Sequence, residues 1–207
     1  MVEIGFFTII ILIVNTLLSL WNAYSAGYNS IPLKMYKGKG AFLYRFANNS
    51  ALVLSFAGLT YVLMFLFGFI GYWINYIQAD ILSELIGFNQ LVFGGLITFT
   101  GIVVAIQSIV IAAKSRDWKS VLIAIFNSLV TIWNVYAYTR SFGYAFSTSK
   151  ELFAGAASSN DVRIKVIVII LAAVITAFMI VYGFYKFGQN KAKKELTGVF
   201  GAYLSRN

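Results

Sequence analysis

Two asparagines seven residues apart, with a hydroxyl residue between them, occur twice in this chain. Asn15, Ser19 and Asn22 form one set, and Asn127, Thr131 and Asn134 the other. Steps of four and three place the three side chains of each set on one face of a helix. An amide offers a carbonyl acceptor and two N–H donors, and a hydroxyl both donates and accepts. Such a ladder can stand in for part of the hydration of an ion, or hold a small polar solute, without any change of protonation. It can equally bond two helices together, which inside a membrane is worth only about 0.6–2 kcal/mol per pair. Each set also carries an aromatic pair, Trp21 with Tyr24 and Trp133 with Tyr136. Those rings suit either the rim of a vestibule or anchors at the membrane–water boundary.

The two sets belong to a longer self-match. Ile11–Tyr24 aligns without gaps on Ile123–Tyr136, with identities at Ile, Asn, Leu, Trp and Tyr positions and Thr/Ser exchanges between them. The same offset sets Gly71-Tyr72-Trp73 on Gly183-Phe184-Tyr185. Matched Leu and Ile would mean little in apolar helices. Matched Trp, Tyr and two Asn in one register point to an internal duplication.

A third pattern has no polar ladder. Gly94, Thr98, Gly101, Ala105, Ser108 and Ala112 recur at steps of four and three, a seam of small side chains along which another backbone can approach closely. Gln107 lies just off this seam and can bond across it.

Other chemistries are excluded or disfavoured by what the chain lacks. It contains no Cys and no His, so thiol and disulfide chemistry, His- or Cys-ligated haem, iron–sulfur clusters and the usual zinc sites are ruled out. No carboxylate falls in the middle of an apolar stretch, which argues against a buried proton relay. No acid–base pair, glycine-rich phosphate loop or activated nucleophile stands at a recognisable spacing. The expectation is a non-enzyme without cofactor or metal.

The elements that must carry the ladders are transmembrane helices. Of 207 residues, 60% are hydrophobic and only 11% charged, far from the roughly 25% charged of a soluble domain. Five stretches reach the ~20 residues that one membrane crossing needs: about Ile4–Ala26, Ala47–Ile74, Leu91–Ala113, Lys119–Thr139 and Ile164–Tyr185. The first is expected to stay as a span, because its leader is acidic and Tyr24 fits a cleavage site near Ala26 poorly.

Charge sets the orientation. Lys34, Lys37, Lys39, Arg45, Lys114, Arg116, Lys119, Lys186, Lys191, Lys193, Lys194 and Arg206 all fall on one side of a five-span chain. Glu3, Asp80, Glu84, Glu151 and Asp161 fall on the other, with Arg140, Lys150, Arg163 and Lys165. The N-terminus is therefore expected outside and the C-terminus in the cytoplasm of a multi-pass cell-membrane protein. The net charge of +9 reads as topology against anionic headgroups rather than as nucleic-acid binding.

The expected fold is thus an all-α integral membrane protein forming a single membrane domain over 1–207. Repeat one (spans 1 and 2, residues 4–74) and repeat two (spans 4 and 5, residues 119–185) run in opposite directions about a small-residue third span (91–113). A basic amphipathic tail covers 186–207. Two flanking stripes, Ile77, Ile81, Leu82, Leu85 and Ile86, and Leu196, Val199, Phe200, Tyr203 and Leu204, suit short helices on the membrane surface. Ser141–Asn160, rich in Ser, Gly and Ala, reads as a loop.

Inverted repeats recur in transporters and channels, whose sites lie near the midplane between copies. The leading functional expectation is movement of an ion or small polar solute along the Asn-lined helices by a homo-oligomer, since five helices leave little room for a wide pore within one protomer. The alternative is a non-catalytic accessory subunit of a larger membrane complex, such as a respiratory, envelope or coat assembly.

Overall fold

A computed structural model describes residues 6–35, 41–115, 117–154 and 160–204. The described residues are all-helical, without strands. The elements are α1 (Phe6–Met35), α2 (Ala41–Trp73), α3 (Ala79–Asn89), a π-helical turn (Gln90–Gly94), α4 (Gly95–Ser115), α5 (Trp118–Ala154) and α6 (Asn160–Leu204). Because α3, the π turn and α4 follow without a break, the described residues make five rods. Four helical stretches, Tyr44–Trp73, Ala79–Lys114, Trp118–Lys150 and Asn160–Gly198, are long and apolar enough to cross a membrane. The expected first span begins at Ile4, outside the described residues; α1, 30 residues long, carries it from Phe6 and runs on past Ala26 to Met35.

Contacts between side chains and backbones fix the directions of the rods. Asn48 Nδ2 donates to Ala26 O (3.0 Å) and Ser55 Oγ to Ser19 O (2.6 Å), so α1 and α2 run antiparallel. Along α4 and α5, Asn127 meets Ser108, Thr131 meets Gly101 and Thr98 meets Asn134, again antiparallel. Ile169 touches Gly71, while Val181 and Ala177 pack with Leu59, which sets α6 antiparallel to α2. The seam of small residues on α4 therefore faces α5 of the same chain. Ala105 and Ala112 on it are buried, and Tyr138 Oη stands 3.0 Å from where a Cβ on Gly95 would lie.

Helices α1 and α6 meet backbone to backbone. A Cβ on Gly27 would fall 2.0 Å from Tyr185 O, and one on Gly188 would fall 2.2 Å from Tyr24 O. Only glycine lets these backbones meet. Beside this crossing, beyond the expected first span, the Tyr28 hydroxyl donates to Glu195. That hydrogen bond, together with the carboxylate's charge, pushes the phenol above its ordinary value.

Helix α2 ends in a Schellman motif. Asn75 takes the left-handed conformation (φ 56°), Asn75 N donates to Tyr72 O and Tyr76 N to Gly71 O, and the last carbonyls are thereby satisfied. The chain then turns directly into α3.

Four expectations are corrected here. The stripe of Ile77, Ile81, Leu82 and Leu85 does not lie on a membrane surface; it is buried with Met64, Phe69 and Phe93 in the main apolar core. Gly68 makes this possible, since its missing side chain leaves room for Leu82 and Leu85, whose methyls come within 3.1 and 3.2 Å of a Cβ built there. A stripe enclosed by protein keeps contacts on every side, which a helix lying flat on lipid does not.

The segment read as a loop from Ser141 is helical as far as Ala154; its remaining residues 155–159 lie outside the described residues. The hydroxyls of Ser141, Ser147, Thr148 and Ser149 donate to carbonyls three or four residues earlier. They thus leave the helical backbone bonds in place, and Ala145 and Leu152 are buried.

No separate helix follows the basic run Lys191–Lys194, because α6 continues unbroken for 45 residues, about 68 Å at 1.5 Å per residue. The side chains of Val199, Phe200, Tyr203 and Leu204 in the expected tail stripe lie outside the described residues. Finally, α5 and α6 do not form a hairpin like that of α1 and α2. Helix α6 packs on α1 and α2, whereas α5 packs on α4 and α3. The small-residue seam suits α4 better as a partner for α5 than any face of α6 does.

Candidate functional site

The groove between the α1–α2 hairpin and the α4–α5 pair holds two neighbouring cavities that share lining residues. The narrower one measures about 40 Å³ and is bordered by Asn15, Ser19 and Asn22 from α1, Gly58 from α2, Gly101 from α4, and Asn127, Thr131 and Asn134 from α5. Every member of the two polar ladders borders it. Leu18, Leu54, Ile97, Val104 and Val130 complete the wall. A single water needs roughly 10–15 Å³ measured in this way, so the space suits about three water-sized particles. Gly58 and Thr131 stand near the middles of the expected second and fourth spans.

Glycines shape this cavity. A Cβ on Gly58 would fall 2.4 Å from Ser19 Oγ, and one on Gly101 3.4 Å from Thr131 Oγ1. Their absent side chains let the hydroxyls of α1 and α5 approach α2 and α4, while the amides keep the space between.

The polar groups divide sharply by helix. On α5, Asn127 Nδ2 donates to Ser108 Oγ (2.7 Å), Ser108 Oγ donates to Val104 O (2.8 Å) and Thr131 Oγ1 donates to Gly101 O (3.1 Å). The side-chain amides of Asn15, Asn22 and Asn134 have no hydrogen-bond partner among the described residues. Each is half-buried. All three border the narrow cavity, so their donors and acceptors are open to a polar guest there.

The wider cavity, about 1080 Å³, begins at Asn22 and Asn127, which border both spaces, and opens toward the end of the molecule that carries Lys34, Lys114 and Lys119. Its polar lining comprises Ser25, Asn29, Tyr44, Asn48, Gln107 and Ser108, and among the described residues no charged one borders either cavity. At the opposite end the groove is crossed by a hydrogen-bonded chain. Tyr61 Oη donates to Gln90 Oε1 (2.8 Å), and Gln90 Nε2 donates to Ser141 Oγ (2.9 Å). Asn89 Nδ2 donates to Tyr61 O (2.8 Å) and Tyr138 Oη to Leu91 O (3.3 Å). This chain ties α2 to α5 through the π turn, a helical irregularity that occurs frequently at functional sites.

The aromatic residues separate. Trp21 and Tyr24 sit 5.9 Å apart, and Trp133 and Tyr136 sit 6.0 Å apart. Only Trp21 borders the wider cavity. Tyr24 turns to α6, 5.8 Å from Phe187, while Trp133 and Tyr136 are more than half exposed on the outer face, with Tyr136 accepting a bond from Arg140.

Several lining residues were not singled out from the sequence. Asn29 continues the step of seven from Asn15 and Asn22, and that periodicity was the available signal. Its partner at the same offset is Ser141, at the closed end. Asn48, Tyr44 and Ser25 carry no such pattern. No metal-binding cluster of His, Cys, Asp or Glu occurs among the described residues. No family model, curated protein or solved structure matches the chain.

Proposed function

We propose that this chain is a five-span membrane protein that moves an ion or small polar solute through the groove between α1–α2 and α4–α5. The observation that carries the reading is the convergence of both Asn ladders, from helices running in opposite directions, on one small cavity that shares Asn22 and Asn127 with a wide vestibule. The duplicated segments supply the two facing walls, as expected of an inverted repeat whose site lies between its copies. Helix α1 is the fifth span. The basic end faces the cytoplasm and its anionic headgroups, so the vestibule opens inward and the Tyr61–Gln90–Ser141 chain closes the outer side. The path lies within one chain, and the reading needs no second copy to complete it.

Two features favour transport over an accessory role. Packing alone calls for partnered amides, whereas Asn15, Asn22 and Asn134 have no partner among the described residues. A lining without charge also suits passage, because nothing holds a guest so tightly that it cannot leave.

The test is flux in proteoliposomes against a panel of Na⁺, K⁺, ammonium, chloride, urea and glycerol. At least one should pass, and Asn134→Leu, which removes an amide without breaking a hydrogen bond, should lower that flux tenfold or more at unchanged expression. Trp133→Leu on the outer face should leave it intact. Vesicles silent to the whole panel, with a partner protein retained through mild detergent, would establish the accessory-subunit alternative instead.

A further inference from the structure

The protons in the α4–α5 wall decide which guest the narrow cavity accepts. Ser108 gives its only proton to Val104 O, so its oxygen can only accept from Asn127. The amide of Asn127 must therefore present Nδ2 to Ser108 and turn Oδ1 away from it; the network, not an arbitrary choice of amide orientation, fixes this. Thr131 likewise spends its proton on Gly101 O and keeps only lone pairs. On this wall the Thr131 hydroxyl offers the 40 Å³ space an acceptor alone, and Asn127 offers Oδ1 beside the one N–H that Ser108 does not take.

We propose that the narrow cavity is a binding site for a small monovalent cation, held by Asn127 Oδ1, Thr131 Oγ1 and the carbonyl oxygens of the free amides. The inference deepens the transport reading by naming its substrate class, and it rests on that reading for the site's purpose.

Four physical points select this ligand. An anion needs donors turned inward, and on this wall Thr131 has spent its only proton on Gly101 O while Asn127 directs its Nδ2 to Ser108, with one N–H left over. A divalent ion is bound chiefly by carboxylates, and none borders the cavity among the described residues. The amides of Asn15, Asn22 and Asn134 are free to turn their carbonyl oxygens inward, and five oxygens approach the coordination of a partly dehydrated alkali cation. The volume admits that cation with one or two waters, while the vestibule admits it fully hydrated.

The experiment is thermal unfolding of the full chain in lipid nanodiscs, with choline chloride replaced stepwise by NaCl or KCl at constant ionic strength. Because a ligand that binds only the folded state raises the midpoint in proportion to the logarithm of its occupancy, Na⁺ or K⁺ should give a saturable rise that choline does not. Thr131→Val, nearly identical in shape, should raise the half-saturating concentration at least tenfold, and Thr131→Ser should restore it. Identical melting curves in choline, Na⁺ and K⁺, or an unaltered saturable response in Thr131→Val, would overturn the assignment.

Flux measured on the same preparation separates the two readings. Passage of urea or glycerol without any cation-dependent shift would overturn the cation site and leave transport standing. A cation-dependent shift lost in Thr131→Val, in vesicles that pass nothing, would keep the site and defeat transport.

Discussion

The crossing of α1 and α6 gives a prediction whose size follows from geometry. Gly27→Ala adds a methyl 2.0 Å from the backbone oxygen of Tyr185, with Tyr185 C at 2.7 Å and Cα at 2.9 Å. Ordinary contact between a methyl carbon and an oxygen begins at roughly 3.4 Å, so the helices must separate by about 1.4 Å or rotate, and backbone atoms cannot swing aside as a side chain does. Overpacking of this kind costs about 1–3 kcal/mol. For a domain of this length each kcal/mol lowers the midpoint by about 2–4 °C, so the expected loss is about 2–12 °C.

The control is Gly183→Ala on the same helix α6, where nothing stands within 4 Å of the added atom. There the same change should be neutral or stabilising by up to about 1 kcal/mol, the helix-propensity difference between the two residues. The assay is thermal unfolding of both variants and the wild type in one lipid nanodisc preparation. Equal midpoints for Gly27→Ala and Gly183→Ala would refute the claim that α1 and α6 touch backbone to backbone.

Further expectations rest on other parts of the structure. Because the chain has no native Cys, single cysteines report access cleanly: Asn29→Cys, in the wide cavity, should react with a membrane-impermeant thiol reagent from the cytoplasmic side only, and reaction from outside would invert the proposed orientation. Gln90→Leu removes both the bond to Tyr61 and the bond to Ser141, so a cysteine at Asn15 in that background should become at least several-fold more reactive from outside; an unchanged rate would show that this chain does not close the groove. Amide hydrogens of residues 145–152 should exchange slowly, as in a packed helix, and exchange at the rate of an unstructured loop would contradict the course of α5. Ser108→Ala leaves the Asn127 amide unpaired and should lower stability by about 1–3 kcal/mol, read as a fall in midpoint on the same instrument.

How much could be read beforehand differs between the parts. The long apolar stretches forced helices, since lipid offers backbone groups no partner, and the step of seven in Asn15, Asn22, Asn127 and Asn134 marked the faces that border one cavity. The seam from Gly94 to Ala112 also announced a close helix–helix contact, which the structure assigns to α5. What could not be read was which apolar surface would be enclosed. The Leu82 and Leu85 stripe is compatible with either lipid or protein, and only Gly68, fourteen residues before Leu82, decides between them. Ser and Thr after Arg140 look like loop formers because their hydroxyls can compete for backbone bonds; here they bond back along the helix instead. Nor does any local pattern reveal that α6 leaves α5 for α1, because the choice is made by Gly27 and Gly188, 161 positions apart in the numbering.

The π turn at Gln90–Gly94 bears on the phase of everything before it. One extra residue in a single turn advances the helix face by about 100°. Two stripes on what is otherwise one rod can therefore look in different directions: Leu82 and Leu85 toward α2, and the glycine seam toward α5. Deleting a single residue there would restore a regular spiral and swing Asn89 and the leucines out of alignment with their partners. In a chain of long stiff cylinders, this short overwide turn is the place where a quarter-rotation of the outer segment could be gained or lost without unwinding either neighbour.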